Sequence, residues 1–230
     1  MTHTTPQAVV PASAVDDLRA AIRGPVVVPG DPGYDEMRAV YNGAVDRHPQ
    51  VIVRCADTVD VRAAVRVGSA LGVDIAVRGG GHNGAGLGSC DGLVIDLSLD
   101  RAVRIDPAAG IAYVNGGARI ADLDHAGHAF GLATPAGIIG STGFGGLALG
   151  GGIGHLTRRY GLTIDNLVSA DVVLADGSVV TTDAGHEPEL FWALRGGGGN
   201  FGVVTQFRMR MHPLSTVVAG PTLFPIERTE

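Results

Sequence analysis

QVIVRCADTVDVRAAVRVGSALGVDIAVRGGGHN, residues 50–83, passes from an apolar run to a helical pattern, back to an apolar run, and ends in three glycines and a histidine. Residues 50–54 predict a buried strand. Asp57 or Thr58 is placed to cap a helix reaching about Leu71, and Gly72 suits the left-handed position that closes it. A second strand is expected at 74–77. Strand, helix and strand in that order form a βαβ unit, whose strands run parallel with a right-handed crossover. Gly79, Gly80, Gly81 and His82 then fall at the carboxyl end of the second strand, where open α/β sheets bind ligands.

Further along, 93–97 reads as another short strand. The runs 102–105 and 111–115 read as a pair joined by a turn at 106–110. From Arg119 to Phe130 the apolar residues Ile120, Leu123, Ala126 and Phe130 take helical spacing, and Gly131 ends the helix. The segment 168–183 holds two alternating runs around Asp176-Gly177, a hairpin signal, and antiparallel pairing is expected to begin there. A short helix at 188–194 leads through Gly196–Gly199 into a strand over 201–211. The fold class expected is α+β, with a parallel lobe over 46–100 and a lobe with mostly antiparallel strands over 101–216. Residues 1–45 form an N-terminal segment, and 217–230 read as the opening of a further structure that the chain does not contain.

The chain has 230 residues, 45% of them hydrophobic, which suffices for one large or two small cores. Its 36 glycines are about twice the average usage, yet they follow no period and cluster at 79–88, 140–154 and 196–202. A formal net charge of −6 with no run of Lys or Arg gives no footprint for nucleic acid or an anionic membrane surface. Small molecules are therefore the expected partners. With neither a basic, apolar leader nor 18 uninterrupted apolar residues, the expected location is the cytoplasm. Cys55 and Cys90 have no CxxC spacing and are expected to be reduced. Cys55 reads as a buried small hydrophobe, and for Cys90 a structural reading outweighs a redox one.

Several chemistries can be weighed on the residues. Gly143, Gly145 and Ala148 match G-x-G-x-x-A with Asp165 downstream, but Gly150, Gly151, Gly152 and Gly154 would interrupt the helix that a Rossmann site requires. His125 and His128 share a predicted helix with Asp122, yet no further ligand cluster accompanies them, and a solvated face is the better reading. No serine sits in G-x-S-x-G, and no glycine-rich loop ends in Gly-Lys-Ser or Gly-Lys-Thr. Glycine bursts can mean tight turns and close lobe packing. Three bursts together favour an extended ligand whose pyrophosphate meets backbone N–H groups, with Ser141 and Thr142 adding hydroxyls. His82 is then either an exposed loop residue or, behind a wall without side chains, a nucleophile open to a flat ring system.

RGGGHN (78–83), CDGLVIDLS (90–98), ATPAG with STGFGGLALGGGIGHLTRRYGLTIDNL (133–167), LFWALRGGGGNFGVVT (190–205) and the HP at 212–213 occur in order. From about residue 20 onward the chain thus resembles the FAD-binding domain of the vanillyl alcohol oxidase and p-cresol methylhydroxylase superfamily, within it the berberine bridge enzyme-like oxidases. The resemblance implies two α/β subdomains over 46–216 with FAD extended between them. His82 matches the histidine that bonds the flavin 8α carbon. Arg78, Gly79, Gly80, Gly81, Asn83 and Gly86 would wrap the pyrophosphate and ring edge. Gly140, Ser141, Thr142, Gly145, Gly146, Gly150, Gly152, Ile153 and Gly154 would add contacts, with His155 and Tyr160 near the ring. Asn200, Gly202, Val203 and Val204 would meet the adenine end. Some relatives carry a second link through a cysteine. That position falls at about Ile139, so a single covalent link through one His is expected.

The same resemblance implies an FAD-dependent oxidoreductase that takes hydride from a small organic substrate at flavin N5, with O2 as acceptor. The substrate domain, with the usual catalytic base, lies beyond the match. The catalytic residues are thus unassigned, no metal is implied, and a flavin-binding module without turnover of its own is the alternative.

Overall fold

The computed structural model describes residues 8–218, 220 and 223–225. The first lobe comprises α1 (Ala12–Ala21), β1 (Val26–Val27), α2 (Tyr34–Arg38), β2 (Val51–Arg54), α3 (Thr58–Leu71), β3 (Ile75–Arg78) and β4 (Leu93–Asp96). Its sheet has the order β1-β2-β4-β3. Strands β2 and β3 both run parallel to β4, which lies between them, while β1 pairs antiparallel with β2 at the edge.

Helix α3 forms as its caps direct. The Asp57 carboxylate accepts from the Val59 and Asp60 backbone N–H groups, and Gly72 closes the other end at φ 62°. A cap of this kind is worth about 1 kcal/mol. The helix buries Val61, Ala64, Val65 and Gly68, and a Cβ on Gly68 would come within 2.6 Å of the Ile75 side chain. Asp60 is buried and accepts from the N–H groups of Arg23, Gly24 and Ala56, which ties residues 23–24 to the start of α3. Val15, Leu18 and Val26 share the core of Val51, Val53, Leu93 and Ile95. Residues from the N-terminal segment are thus packed into the first lobe, and antiparallel pairing begins at β1 rather than at 168–183.

The second lobe comprises β5 (Val103–Asp106), β6 (Ile111–Asn115), α4 (Ile120–His128), β7 (Leu132–Ala133), α5 (Phe144–Leu149), α6 (Thr157–Tyr160), β8 (Leu167–Val173), β9 (Val179–Asp183), α7 (Pro188–Leu194), β10 (Val203–Arg210) and β11 (His212–Pro213). Its five-stranded sheet, ordered β5-β6-β10-β8-β9, is antiparallel throughout. Leu123, Phe144, Phe191 and Leu194 from the helices meet Val114, Ala170, Val172 and Phe207 from the strands in one core. Phe144 and Phe207 pack edge to face, with ring centres 5.5 Å apart.

The lobes are joined through α3 and the turn between β8 and β9. Arg62 Nε donates to the Gly177 carbonyl at 2.9 Å and Ser69 Oγ to the Ala175 carbonyl at 2.8 Å. Val173 and Val203 of the second lobe reach into the core of the first. Among the described residues, no helix is long and apolar enough to cross a membrane.

Candidate functional site

Three strands of the first lobe each end in a charge after an apolar run: VIVR, IAVR and LVID. The parallel register sets Asp96 of β4 beside Arg54 of β2 on one side and Arg78 of β3 on the other. Arg78 Nη2 donates to Asp96 Oδ2 at 2.7 Å, and both side chains are buried. Asp96 Oδ1 accepts from the Ser98 N–H at 2.7 Å, and Arg54 Nη2 donates to Ser98 Oγ at 3.1 Å. Arg78 Nη1 is buried and has no hydrogen-bond partner among the described residues.

Above this row lies a cavity of about 350 Å³, lined by Arg54, Arg78, Asp96, Ser98, Arg119, Glu36, Val40, Tyr41 and Gly79–Gly81. Three guanidinium groups face two carboxylates there, so the cavity favours an anion. Arg54, Asp96, Ser98, Arg119 and Tyr41 were not among the residues singled out in the sequence, although the charge closing each apolar run was a readable signal for the first two.

The glycines singled out in the sequence are of two kinds. Gly80 is required by contact with the second lobe, since a Cβ on it would lie 2.2 Å from the Gly143 nitrogen. Gly81 takes φ 70°, and a Cβ there would meet nothing closer than 3.7 Å. Gly146, exposed within α5, faces open space. A glycine inside a helix costs about 1 kcal/mol relative to alanine, and packing gives no reason for it.

His82 follows at the end of the glycine run. Its Nε2 lies 3.1 Å from Ser141 Oγ and its Nδ1 3.5 Å from Thr142 Oγ1. The Tyr41 ring stacks on it with centres 4.2 Å apart and planes 16° apart. The first two glycine-rich segments therefore meet at His82. Asn83 Oδ1 accepts from the Leu87 N–H, which orders the loop that follows. Gly86 takes φ 81° and abuts Val45.

Other residues singled out in the sequence have packing roles. Gly140 lies against Ala121, and Gly145 lies against the Phe207 ring and the Gly116 carbonyl. Gly150 ends α5, whose six residues are too short for the helix of a Rossmann site. A Cβ on Gly152 would strike Thr163, and one on Gly154 the Ala136 carbonyl. Ile153 and His155 are exposed. Asn200 bonds to the Gly197 carbonyl, Gly202 takes φ 133° against Val173, and the side chains of Val203 and Val204 are buried. Any ligand contact from 202–204 would therefore come from backbone. Residues 150–155 and 200–204 are not among those lining the cavity.

Tyr160 stacks on His212 at 4.0 Å, and His212 Nε2 lies 2.7 Å from Asn166 Oδ1. Asn166 Nδ2 donates to the Tyr160 and Leu162 carbonyls, so its oxygen faces His212 and the imidazole carries its proton on Nε2. Asp122 is held by Arg101 and by the Arg119 N–H, while His125 and His128 are exposed. Burial alone would raise the Asp122 pKa, but these donors hold it below the ordinary carboxylate value. Among the described residues no three His, Cys, Asp or Glu side chains group to hold a metal.

A side-chain-free loop at the end of a parallel strand, an anion-favouring cavity and a second lobe closing over both define a nucleotide-cofactor domain. The family model of the FAD binding domain matches residues 49–183, more than half of the chain. The chain belongs to that family, among the berberine bridge enzyme-like FAD-linked oxidoreductases. It is 42% identical over 195 residues to (R)-6-hydroxynicotine oxidase of Paenarthrobacter nicotinovorans, a match covering 84% of this chain and 43% of that enzyme. A berberine bridge enzyme-like 1 variant of Physcomitrella patens superposes with a TM-score of 0.82 at 34% identity, covering 88% of this chain and 45% of its own. Glucooligosaccharide oxidase of Acremonium strictum, whose FAD is described as 6-S-cysteinyl, 8α-N1-histidyl, superposes with a TM-score of 0.80 at 36% identity, covering 86% of this chain and 42% of its own. The chain thus spans less than half the length of these relatives.

The residues present fit FAD. Arg78 Nη1 lacks an acceptor that a pyrophosphate oxygen would supply, and Gly79–Gly81 line the same cavity without side chains that would keep the pyrophosphate from the backbone.

Proposed function

We propose that this chain is the flavin-holding part of an oxidase and anchors FAD covalently through His82 alone. The observation that carries this reading is the setting of His82, an imidazole at the end of β3, beside a cationic cavity and fixed at both ring nitrogens by Ser141 and Thr142. Arg78, Gly79–Gly81 and the 140–142 turn would hold the pyrophosphate and ring edge, and the backbone of 202–204 the adenine end. The bond would replace one hydrogen of the 8α methyl and the imidazole N–H hydrogen, and O2 would take up both hydrogens with two electrons as hydrogen peroxide. Bound FAD supplies hydride acceptance at N5 from a small organic substrate and reoxidation by O2. Ile139 occupies the place of a second link, and the two cysteines lie elsewhere, Cys55 in the first core and Cys90 against the Asp74 and Leu93 carbonyls. These free thiols suit the cytoplasm, our proposed location.

Purified protein is expected to be yellow and to keep its colour after acid precipitation, while His82→Ala releases its flavin. Flavin fully released from the unaltered chain would overturn the anchor. The second reading is a flavin-binding module without turnover of its own. A screen for hydrogen peroxide formation over amine, sugar and alcohol substrates separates the two.

A further inference from the structure

We propose that Tyr41 is a positioning residue for His82, a role that rests on the reading of His82 as the flavin anchor. The Tyr41 ring covers one face of the imidazole at 4.2 Å and 16°, while Ser141 Oγ and Thr142 Oγ1 lie 3.1 and 3.5 Å from its two nitrogens. A stack fixes the plane of the ring, and the hydroxyls fix its rotation within that plane. The flavin bond would form at a ring nitrogen, so one of the two hydroxyls would give way to the 8α carbon while the stack keeps the ring in place.

Tyr41 has no other packing role that explains its place. It is 74% exposed and belongs to neither core, yet it lines the cavity. Its segment is strapped to the glycine loop at three points. The Tyr41 N–H donates to the Gly81 carbonyl at 3.0 Å, and Asn42 Nδ2 to the Gly84 carbonyl at 2.9 Å. Val45 fills the space beside Gly86, where a Cβ would come within 2.9 Å. The clamp on His82 is therefore carried by 41–45, far from His82 in sequence and registered to its loop by one backbone and one side-chain hydrogen bond. A histidine on a loop of glycines has little else to hold it, and misplacing a reacting group by about 1 Å can cost two orders of magnitude in rate.

The contact is ring to ring, so the aromatic face matters and the hydroxyl does not. The test uses the 230-residue chain produced without flavin, then incubated in air with FAD at a concentration that saturates releasable binding. The fraction of flavin remaining with acid-precipitated chain is followed in time for the wild type, Tyr41→Phe and Tyr41→Ala. With FAD saturating the releasable binding of each variant, Tyr41→Phe is expected to attach flavin at the wild-type rate and Tyr41→Ala on the order of tenfold more slowly. In parallel, the His82 ring protons of the flavin-free chain should show an upfield ring-current shift by NMR, kept in Tyr41→Phe and lost in Tyr41→Ala. Attachment at the wild-type rate in Tyr41→Ala, or equal slowing in both variants, would each overturn the positioning role. Wild-type chain that shows the ring-current shift but carries only releasable flavin would instead overturn the His82 anchor, and the role of Tyr41 with it.

Discussion

Gly80 and Gly143 cross back to back, so that a Cβ on either would lie 2.2 Å from the backbone nitrogen of the other. The crossing brings the loop after β3 against the start of α5 and sets Ser141 and Thr142 beside His82. Backbone cannot yield as a flexible side chain can, so the two loops would have to part. Gly143→Ala, at an otherwise permissive φ of −62°, is expected to cost about 1–3 kcal/mol, as overpacking does. Urea unfolding measures this, and an unchanged midpoint would contradict the crossing.

Arg78 and Asp96 form a buried pair at 2.7 Å, with side chains 7% and 6% exposed. Without Arg78, Asp96 keeps only the longer contact to Arg54 at 3.9 Å and the Ser98 N–H, so Arg78→Ala should cost about 3 kcal/mol, the low end for a broken buried pair. Arg78→Met with Asp96→Leu should cost less than the sum of the two single changes, because neither charge is then left alone. Denaturant unfolding of the three variants reads the coupling directly, and strict additivity would refute it.

Burial first, then the charges of Arg210 and Arg159, hold the His212 pKa below its ordinary value of 6.5. The unfolded chain therefore takes up this proton before the folded chain does. Stability from His212 is present in full above pH 6.5 and is lost as pH falls through the lower folded value. Thermal unfolding between pH 8 and 5 should show this loss, and His212→Gln should flatten that part of the profile.

Burial raises the thiol pKa of both cysteines, most strongly for Cys55 in the first core. Both are free. In the native chain, thiol reagents at pH 8 should react slowly with Cys90 and scarcely at all with Cys55, and both should react in denaturant. Rapid native labelling of Cys55 would contradict its burial.

Much of the fold was legible locally. The Asp57 cap, the Gly72 terminator and the apolar runs at 51–54, 75–78 and 93–96 are each written within a few residues, and the βαβ unit follows from them. The hairpin turn at Asp176-Gly177 likewise carries its own signal, with Gly177 at φ 76°. The pairing of β1 with β2 was not legible, because a two-residue strand has no period and the Asp60 hydrogen bonds that hold residues 23–24 span more than 30 positions.

The site divides in the same way. RGGGHN marked the loop proposed to hold the cofactor, because a run of glycines ending in a histidine is informative wherever it lies. The sequence by itself therefore determined the family and the parallel core of the first lobe, and it supplied the proposal that His82 is the anchor. Only the tertiary structure decided that Tyr41 stacks on His82, that Arg54, Asp96 and Arg78 form one row, and that Gly145 and Gly202 serve packing. The physical reason is the range of each interaction. Caps, turns and periodicity act between near neighbours, whereas a stack between residues 41 and 82 or a row across three strands exists only once the chain has returned on itself.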